Sequence, residues 1–298
     1  GVHSGDSMAV YPTQSLNPAE KETIIDYTTR IGLGLDIKGL MNIQFVTVPA
    51  PDGGSTIYVI EVNPRASRTV PFLSKITGVP IVDVATTVML GKSLKEQGYE
   101  SGLWPESKLV AIKTPVFSMS KLTGVDTHLG PEMKSTGEVM GIDFTFNAAL
   151  VKTLQAAALM LPLKGTILLS IAARDKKEAL PLIKLCAKLD FHLYATEGTA
   201  AFIEKNGIAV TRISKKLDEG HPNIVDIIKN GTVDGVINTL TGGRVPLRDG
   251  FYIRRAAAEK RIPCFTSLDT AKVAIEALAE GAAEYNTLPL PCYRANRG

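Results

Sequence analysis

Glu61, Asn63, Arg65 and Arg68 fall in one short stretch, IYVIEVNPRASR. Two oxygen donors followed by two guanidinium groups suit a divalent cation with a polyphosphate. Hard oxygen ligands hold Mg²⁺, and arginines hold anionic oxygens. The plainer alternative is a strand end that turns polar as it meets water. Ile57, Tyr58, Val59 and Ile60 are β-branched or aromatic, which predicts a buried strand. Residues two apart in a strand point the same way, so Glu61 and Asn63 share a face. The preceding stretch MNIQFV alternates polar with apolar and puts Asn42 and Gln44 on one face. A turn through Pro49–Gly54 predicts an antiparallel hairpin that sets Gln44 beside Glu61 as a third oxygen donor.

A second set of polar residues stands at the ends of apolar runs in the other half. Ser170 ends TILLS, Thr196-Glu197-Gly198-Thr199 opens a helical pattern, and Lys215-Lys216 follows a third run. Asn238-Thr239-Leu240-Thr241-Gly242-Gly243-Arg244 follows a fourth. Hydroxyls, a helix N-terminus and lysines at one sheet edge make an anion site. Taken singly, each loop reads equally as a helix cap.

The elements that must position these groups follow from periodicity. Strands are predicted over 166–171, 191–195, 209–213, 234–238 and 263–266, and helices over 145–161, 175–189, 198–206, 223–230, 251–260 and 270–279. Alternation of this kind predicts a five-stranded parallel sheet covered on both faces, with ligands beyond the C-terminal strand ends. In the front half, Asn17, Pro18 and Glu20 mark a helix start. Pro71–Lys75 and Ile81–Leu90 read as packed helices, and Lys75 as a solvated charge. Residues 97–135 read as a Gly-, Pro- and Ser-rich connector with short strands at 109–113 and 116–119, and a domain boundary is expected near Lys134–Glu138.

Composition narrows the class. The chain has 298 residues, 45% hydrophobic and 21% charged, with a net charge of +3. That describes a globular protein of two ordinary domains. No basic stripe predicts nucleic-acid binding, and no run reaches membrane-span length. Three widely spaced cysteines argue against a disulfide framework and for a reducing compartment. The opening Gly1-Val2-His3 reads like the middle of a longer protein.

GLMNIQFVTV with IYVIEVNPRASRTVPFLSKITGVP resembles the C-terminal half of an ATP-grasp domain (α+β, antiparallel sheet). More narrowly, Gly1 to about Lys95 resembles carbamoyl phosphate synthase large chains. TVPFLSKITG and GVHSGDS are similar to the second, carbamate-phosphorylating domain of those chains. The resemblance implies ATP, with Gly1, Val2, His3 and Ser4 at its base and ribose. It implies Mg²⁺ or Mn²⁺ held by Gln44, Glu61 and Asn63, and catalytic roles for Arg65 and Arg68. KLTGVDTHLGPEMKSTGEVMGID resembles the link to the regulatory domain.

ATEGTA, EGHPNIVDIIKNG and VINTLTGGR resemble that regulatory domain, a methylglyoxal-synthase-like, Rossmann-type fold. The resemblance places Ser170, Lys176, Thr196, Thr199, Lys215 or Lys216, Asn238, and Thr239 or Thr241 against an effector such as UMP or IMP. The lyase of this fold takes its catalytic carboxylate from a Gly-Gly-Asp segment, which is lacking here, so this domain is expected to bind without catalysing. The resulting division is 1–96 ATP-grasp, 97–135 connector and 136–298 regulatory domain. It implies a cytoplasmic ligase whose partners are the remainder of the large chain, a glutaminase small subunit and a possible second copy meeting through the regulatory domain. The alternatives are an effector-binding module without autonomous catalysis and, less favoured, a methylglyoxal-synthase-like lyase.

Overall fold

The structure, a computed structural model, describes residues 3–51, 53–106, 108–121, 125–214, 221–240, 248–280, 285 and 287–295. It divides into two compact units. One is Val10–Ala111 with Thr287–Gly298, and the other is Gly1–Ala9 with Ile112–Asn286.

After β1 (Ala9–Tyr11) comes α1 (Pro18–Gly34). Its start is the expected one: Asn17 accepts from the Glu20 N–H, and the Glu20 carboxylate accepts from the Asn17 N–H. β2 (Asn42–Pro49) and β3 (Ser55–Asn63) pair antiparallel as the expected hairpin. The register slips by one residue between Gln44 and Phe45, leaving Ile60 as the extra residue of a bulge. The expected burial of Ile57–Ile60 does not hold. Only Ile57 is buried; Tyr58 is 53% and Ile60 56% exposed. The ribbon has two strands, and α1 on β3 shields only part of it. α2 (Thr69–Thr77) and α3 (Ile81–Met89) pack on each other, with Phe72, Ile76 and Ala85 buried.

β4 (Val110–Val116) runs as a single strand where two short ones were expected, and it pairs with β5 (Gly137–Asp143). β5 was not anticipated: GEVMGID carries two glycines and falls in the stretch that resembles the link to the regulatory domain. The expected boundary near Lys134–Glu138 lies inside the second unit, and the observed division falls at Ala111/Ile112. The cause is packing by α4 (Phe146–Ala156), whose buried Thr153 hydroxyl donates to the Ile112 carbonyl at 2.9 Å.

The parallel sheet then follows. β6 (Thr166–Ser170), α5 (Lys176–Lys188), β7 (His192–Thr196), α6 (Glu197–Lys205), β8 (Thr211–Ile213), α7 (Ile224–Lys229), β9 (Gly235–Asn238), α8 (Arg248–Lys260), β10 (Cys264–Phe265) and α9 (Leu268–Ala279) alternate as expected. Strand order is β10-β9-β6-β7-β8, all parallel. β9 is buried at every position and β6 at all but its first. One face packs Leu168 and Val236 against Ile227 of α7 and Ile253 of α8. α4, α5 and α9 pack together as a second helical layer. A last helix, α10 (Leu290–Ala295), belongs to the same unit as α2 and packs on it. All three cysteines are free.

Gly141 shows how tightly β5 lies on α4. A Cβ there would stand 2.2 Å from both the Ala149 carbonyl oxygen and the Thr153 hydroxyl. Gly141→Ala should therefore destabilise the chain by ~1–3 kcal/mol, the usual cost of overpacking. Gly137→Ala, where a Cβ meets nothing within 4 Å, is the control. Thermal unfolding of both variants checks the difference.

Candidate functional site: the strand switch and the hairpin end

In the parallel sheet, β6 has β7 on one side and β9 on the other. Chain connections leave in opposite directions at such a point, which opens a crevice beyond the strand ends. Ser170, last in β6, pairs with Asn238, last in β9. Between the loops lies a cleft of about 210 Å³ lined by Ser170, Lys176, Thr196, Thr199, Asn238 and Thr239, among others. Ser170, Thr196, Thr199, Asn238 and Thr239 are all buried. Lys176, at the head of α5, donates its ammonium to the Gly198 carbonyl in the first turn of α6.

The threonines stitch the strand ends together. Thr199 Oγ1 accepts from the Ile171 N–H at 3.1 Å, and Thr239 Oγ1 from the Ala172 N–H at 2.8 Å. Thr196 holds the N-cap position of α6 but makes no side-chain cap bond. Its hydroxyl donates to Thr199 Oγ1 at 3.3 Å. The plain capping alternative therefore fails at Thr196. Ser170, Lys176, Thr196, Thr199, Asn238 and Thr239 are thus brought together. Lys215, Lys216 and Thr241 lie outside the described residues.

Arg254, which the sequence reading did not single out, stands at the back of this cleft with 1% exposure. Its Nη1 donates to Asn238 Oδ1 at 2.9 Å, and its Nε and Nη2 donate to the Asp126 carboxylate at 3.0 and 2.7 Å. A sequence signal existed. Gly250 and Ala257 fall on the same helical face as Arg254, so small residues flank a large cation. Burial alone would raise the Asp126 pKa, but hydrogen bonds from Arg254 and from the His128 N–H hold it below the usual value. His128 is pushed down by burial and by Arg254.

At the other candidate centre, Gln44 is the register partner of Glu61, and Asn42 that of Asn63. Directly opposed residues share a face, so the three expected oxygen donors do converge at the open end of the hairpin. Asn63 Nδ2 donates to Glu61 Oε1 at 3.0 Å. Arg65 Nη1 turns back to the Ala66 carbonyl at 3.0 Å, and Arg68 holds the N-cap position of α2. His3 Nδ1 accepts from the Gly5 N–H at the head of a short turn, Ser4–Asp6. Gly1 and Val2 lie outside the described residues. Among the described residues, no three His, Cys, Asp or Glu side chains cluster as metal ligands. One carboxylate and two amides form an oxygen set of the kind Mg²⁺ accepts. Among the described residues, no single helix is long and apolar enough to cross a membrane.

Fold and site together define a doubly wound α/β domain with a hydroxyl-lined cleft at its strand switch, in a chain whose other unit is built on a polar-ended β-hairpin. Residues 178–266 match the family model described as MGS-like domain, and residues 1–97 match that described as carbamoyl-phosphate synthase L chain, ATP binding domain. The chain is a relative of the carbamoyl phosphate synthase large chains over nearly its whole length. It is 52% identical to that of Thermomicrobium roseum over 294 residues, covering 99% of this chain and 27% of the relative. It is 52% identical to those of Thermoanaerobacter sp. and Thermoanaerobacter pseudethanolicus over 280 residues, 94% of this chain and 25% of each relative. The chain thus spans about a quarter of the length of these relatives.

The Asp126–Arg254 pair has a consequence in acid. Because the folded-state pKa of Asp126 is depressed, its contribution to stability is present above the unfolded value and lost as pH falls through the folded one. Stability should decline below about pH 4, the ordinary aspartate range. Asp126→Asn should flatten part of that limb. Urea unfolding of both proteins across pH 3–6 reads the difference; parallel acid limbs would show that Asp126 contributes none of it.

Proposed function

We propose that this chain is a segment of a carbamoyl phosphate synthase large chain. It would carry part of a carbamate-phosphorylating site and a nucleotide-effector domain. The observation that carries the reading is the 52% identity to large chains across both units. Segment 1–96 would contribute the C-terminal lobe of the ATP-grasp fold, 97–135 the connection, and 136–298 the regulatory domain. The activity is that of a cytoplasmic ligase making carbamoyl phosphate from bicarbonate, glutamine and ATP, with ammonia supplied by a glutaminase subunit. A second copy could meet through the regulatory domain.

In the complete enzyme, carbamate attacks the γ-phosphate of ATP. Such transfer needs positioning and charge stabilisation more than covalent help from the protein. Mg²⁺ or Mn²⁺ bound by Gln44, Glu61 and Asn63 would neutralise phosphate charge. Arg65 and Arg68 would stabilise the transferring group, and His3 and Ser4, with Gly1 and Val2, would contact base and ribose. The cleft at the strand switch would take the phosphate of UMP or IMP through Ser170, Lys176, Thr196, Thr199, Asn238 and Thr239, with Lys215, Lys216 and Thr241 nearby in sequence. A chain that binds effector but has no catalysis of its own is the second reading. It is favoured by the lack, within these 298 residues, of the glycine-rich phosphate loop and lysine that an ATP-grasp site needs to close over ATP.

Two measurements test the proposal. In a full-length large chain carrying this segment, Glu61→Gln should lower carbamoyl phosphate formation by orders of magnitude, since it removes the one charged metal ligand of the trio. Turnover like wild type at low Mg²⁺ would remove Glu61 from the site. Calorimetry of the 298-residue chain should show UMP or IMP binding far more tightly than uridine, with the difference shrinking at high salt. Thr199→Ala should weaken UMP binding by roughly 1–2 kcal/mol. Equal affinity for UMP and uridine would return these loops to structural roles, and methylglyoxal formation from dihydroxyacetone phosphate would favour the lyase.

A further inference from the structure

We infer that Arg254, braced by Asp126, is the positioning residue that decides which edge of Asn238 faces the phosphate in the strand-switch cleft. The inference rests on the effector-pocket reading for its ligand, but its geometry stands independently.

An asparagine amide has one accepting and one donating end, and the two are nearly isosteric. In a phosphate site, the donating end must face the ligand, because a carbonyl oxygen would repel anionic oxygens. Asn238 is 2% exposed, so water cannot set its orientation. Arg254 can. A guanidinium has donors only, so the atom 2.9 Å from Arg254 Nη1 has to be Oδ1. The Nδ2 end then donates to the Ser170 carbonyl at 3.3 Å, which favours the same orientation, and its second N–H is the one left for the cleft that Asn238 lines.

The guanidinium is itself held. Two of its nitrogens form a fork on Asp126, whose charge offsets the cost of burying the cation. The bonds to Asp126 and Asn238 together spread three separate donors over two partners. A lysine has a single nitrogen and cannot occupy both directions at these distances. The backbone makes room for the arrangement. A Cβ on Gly250 would stand 2.8 Å from Arg254 Nη1 and 3.5 Å from Asn238 Oδ1. The bare helix surface at Gly250 is thus what lets Nη1 reach the amide.

The test is a double-mutant cycle read by UMP calorimetry on the 298-residue chain, with the Asn238 side-chain amide followed by ¹⁵N NMR. Arg254→Lys and Asn238→Ala should each weaken UMP binding by about tenfold, the value of one hydrogen bond to a charged group. The double variant should be no weaker than either alone, because Arg254 acts through Asn238. Losses that multiply in the double variant would overturn the inference and make Arg254 merely structural. In Arg254→Lys, the Asn238 amide keeps its Ser170 partner but loses the guanidinium bond to Oδ1, so its resonances should shift from their wild-type positions; unchanged resonances would equally overturn the inference. Gly250→Ala keeps both charges and displaces only Nη1, and it should reproduce the Arg254→Lys loss. A folded Gly250→Ala chain with unaltered UMP affinity counts against the inference. If the wild-type chain binds no UMP, the pocket reading and any ligand role of Arg254 both fall, while the NMR comparison still decides whether Arg254 orients Asn238.

Discussion

A guanidinium buried to 1% exposure cannot stand alone, and much of the α/β unit is arranged to satisfy it. Arg254 reaches forward to Asn238 at the cleft and back to Asp126 in the segment before β5. Its neighbour Arg255, also buried, donates to the Met119 carbonyl at 2.8 Å and pairs with Glu259. Two adjacent arginines on α8 therefore pin a stretch that looks, by composition, like a loose connector. The pinning continues. The Lys134 ammonium donates to the carbonyls of Asp126 and His128, and the N–H groups of Lys134 and Ser135 donate to the buried Asp6 carboxylate. Those bonds outweigh the burial that would raise the Asp6 pKa and hold it low. The turn at Ser4–Asp6 and the cleft thus belong to one hydrogen-bonded body.

The cleft reuses groups that the fold already needs. Thr199 and Thr239 satisfy the backbone N–H groups of Ile171 and Ala172, which otherwise would be buried without partners. The Thr239 hydroxyl accepts from the backbone and still carries a proton to donate, whereas the Thr199 proton points at the Ile171 carbonyl at 3.4 Å and has to turn from that long bond to serve an anion. Structural and ligand-binding roles are therefore not competing readings of these threonines. Substitution at either touches both.

The hairpin obeys a different logic. Its tip and middle expose Val46, Val48, Tyr58, Val59 and Ile60, and its open end gathers Asn42, Gln44, Glu61 and Asn63. The bulge at Ile60 separates the two regions. A one-residue slip reverses which side chains share a face, so the bulge lets the polar end keep its own alignment whatever the rest of the ribbon does.

Local signals in the sequence determined a good deal. The capping box at Asn17, the alternation through Gln44 and Glu61, and the strand–helix alternation after Thr166 all depend on neighbours in the chain, and each appears as read. The convergence of Ser170, Thr196, Thr199 and Asn238 was legible too, because a parallel sheet puts the C-terminal ends of its strands along one edge. Tertiary structure alone decided the rest. The exposure of Tyr58 and Ile60 depends on what covers a strand, not on its composition. β5 forms because β4 and α4 offer it partners, with Gly141 giving the close approach. Asp126 and Arg254 meet across most of the α/β unit, at a distance in sequence over which no periodicity or motif carries information, and only burial shows that each charge requires the other.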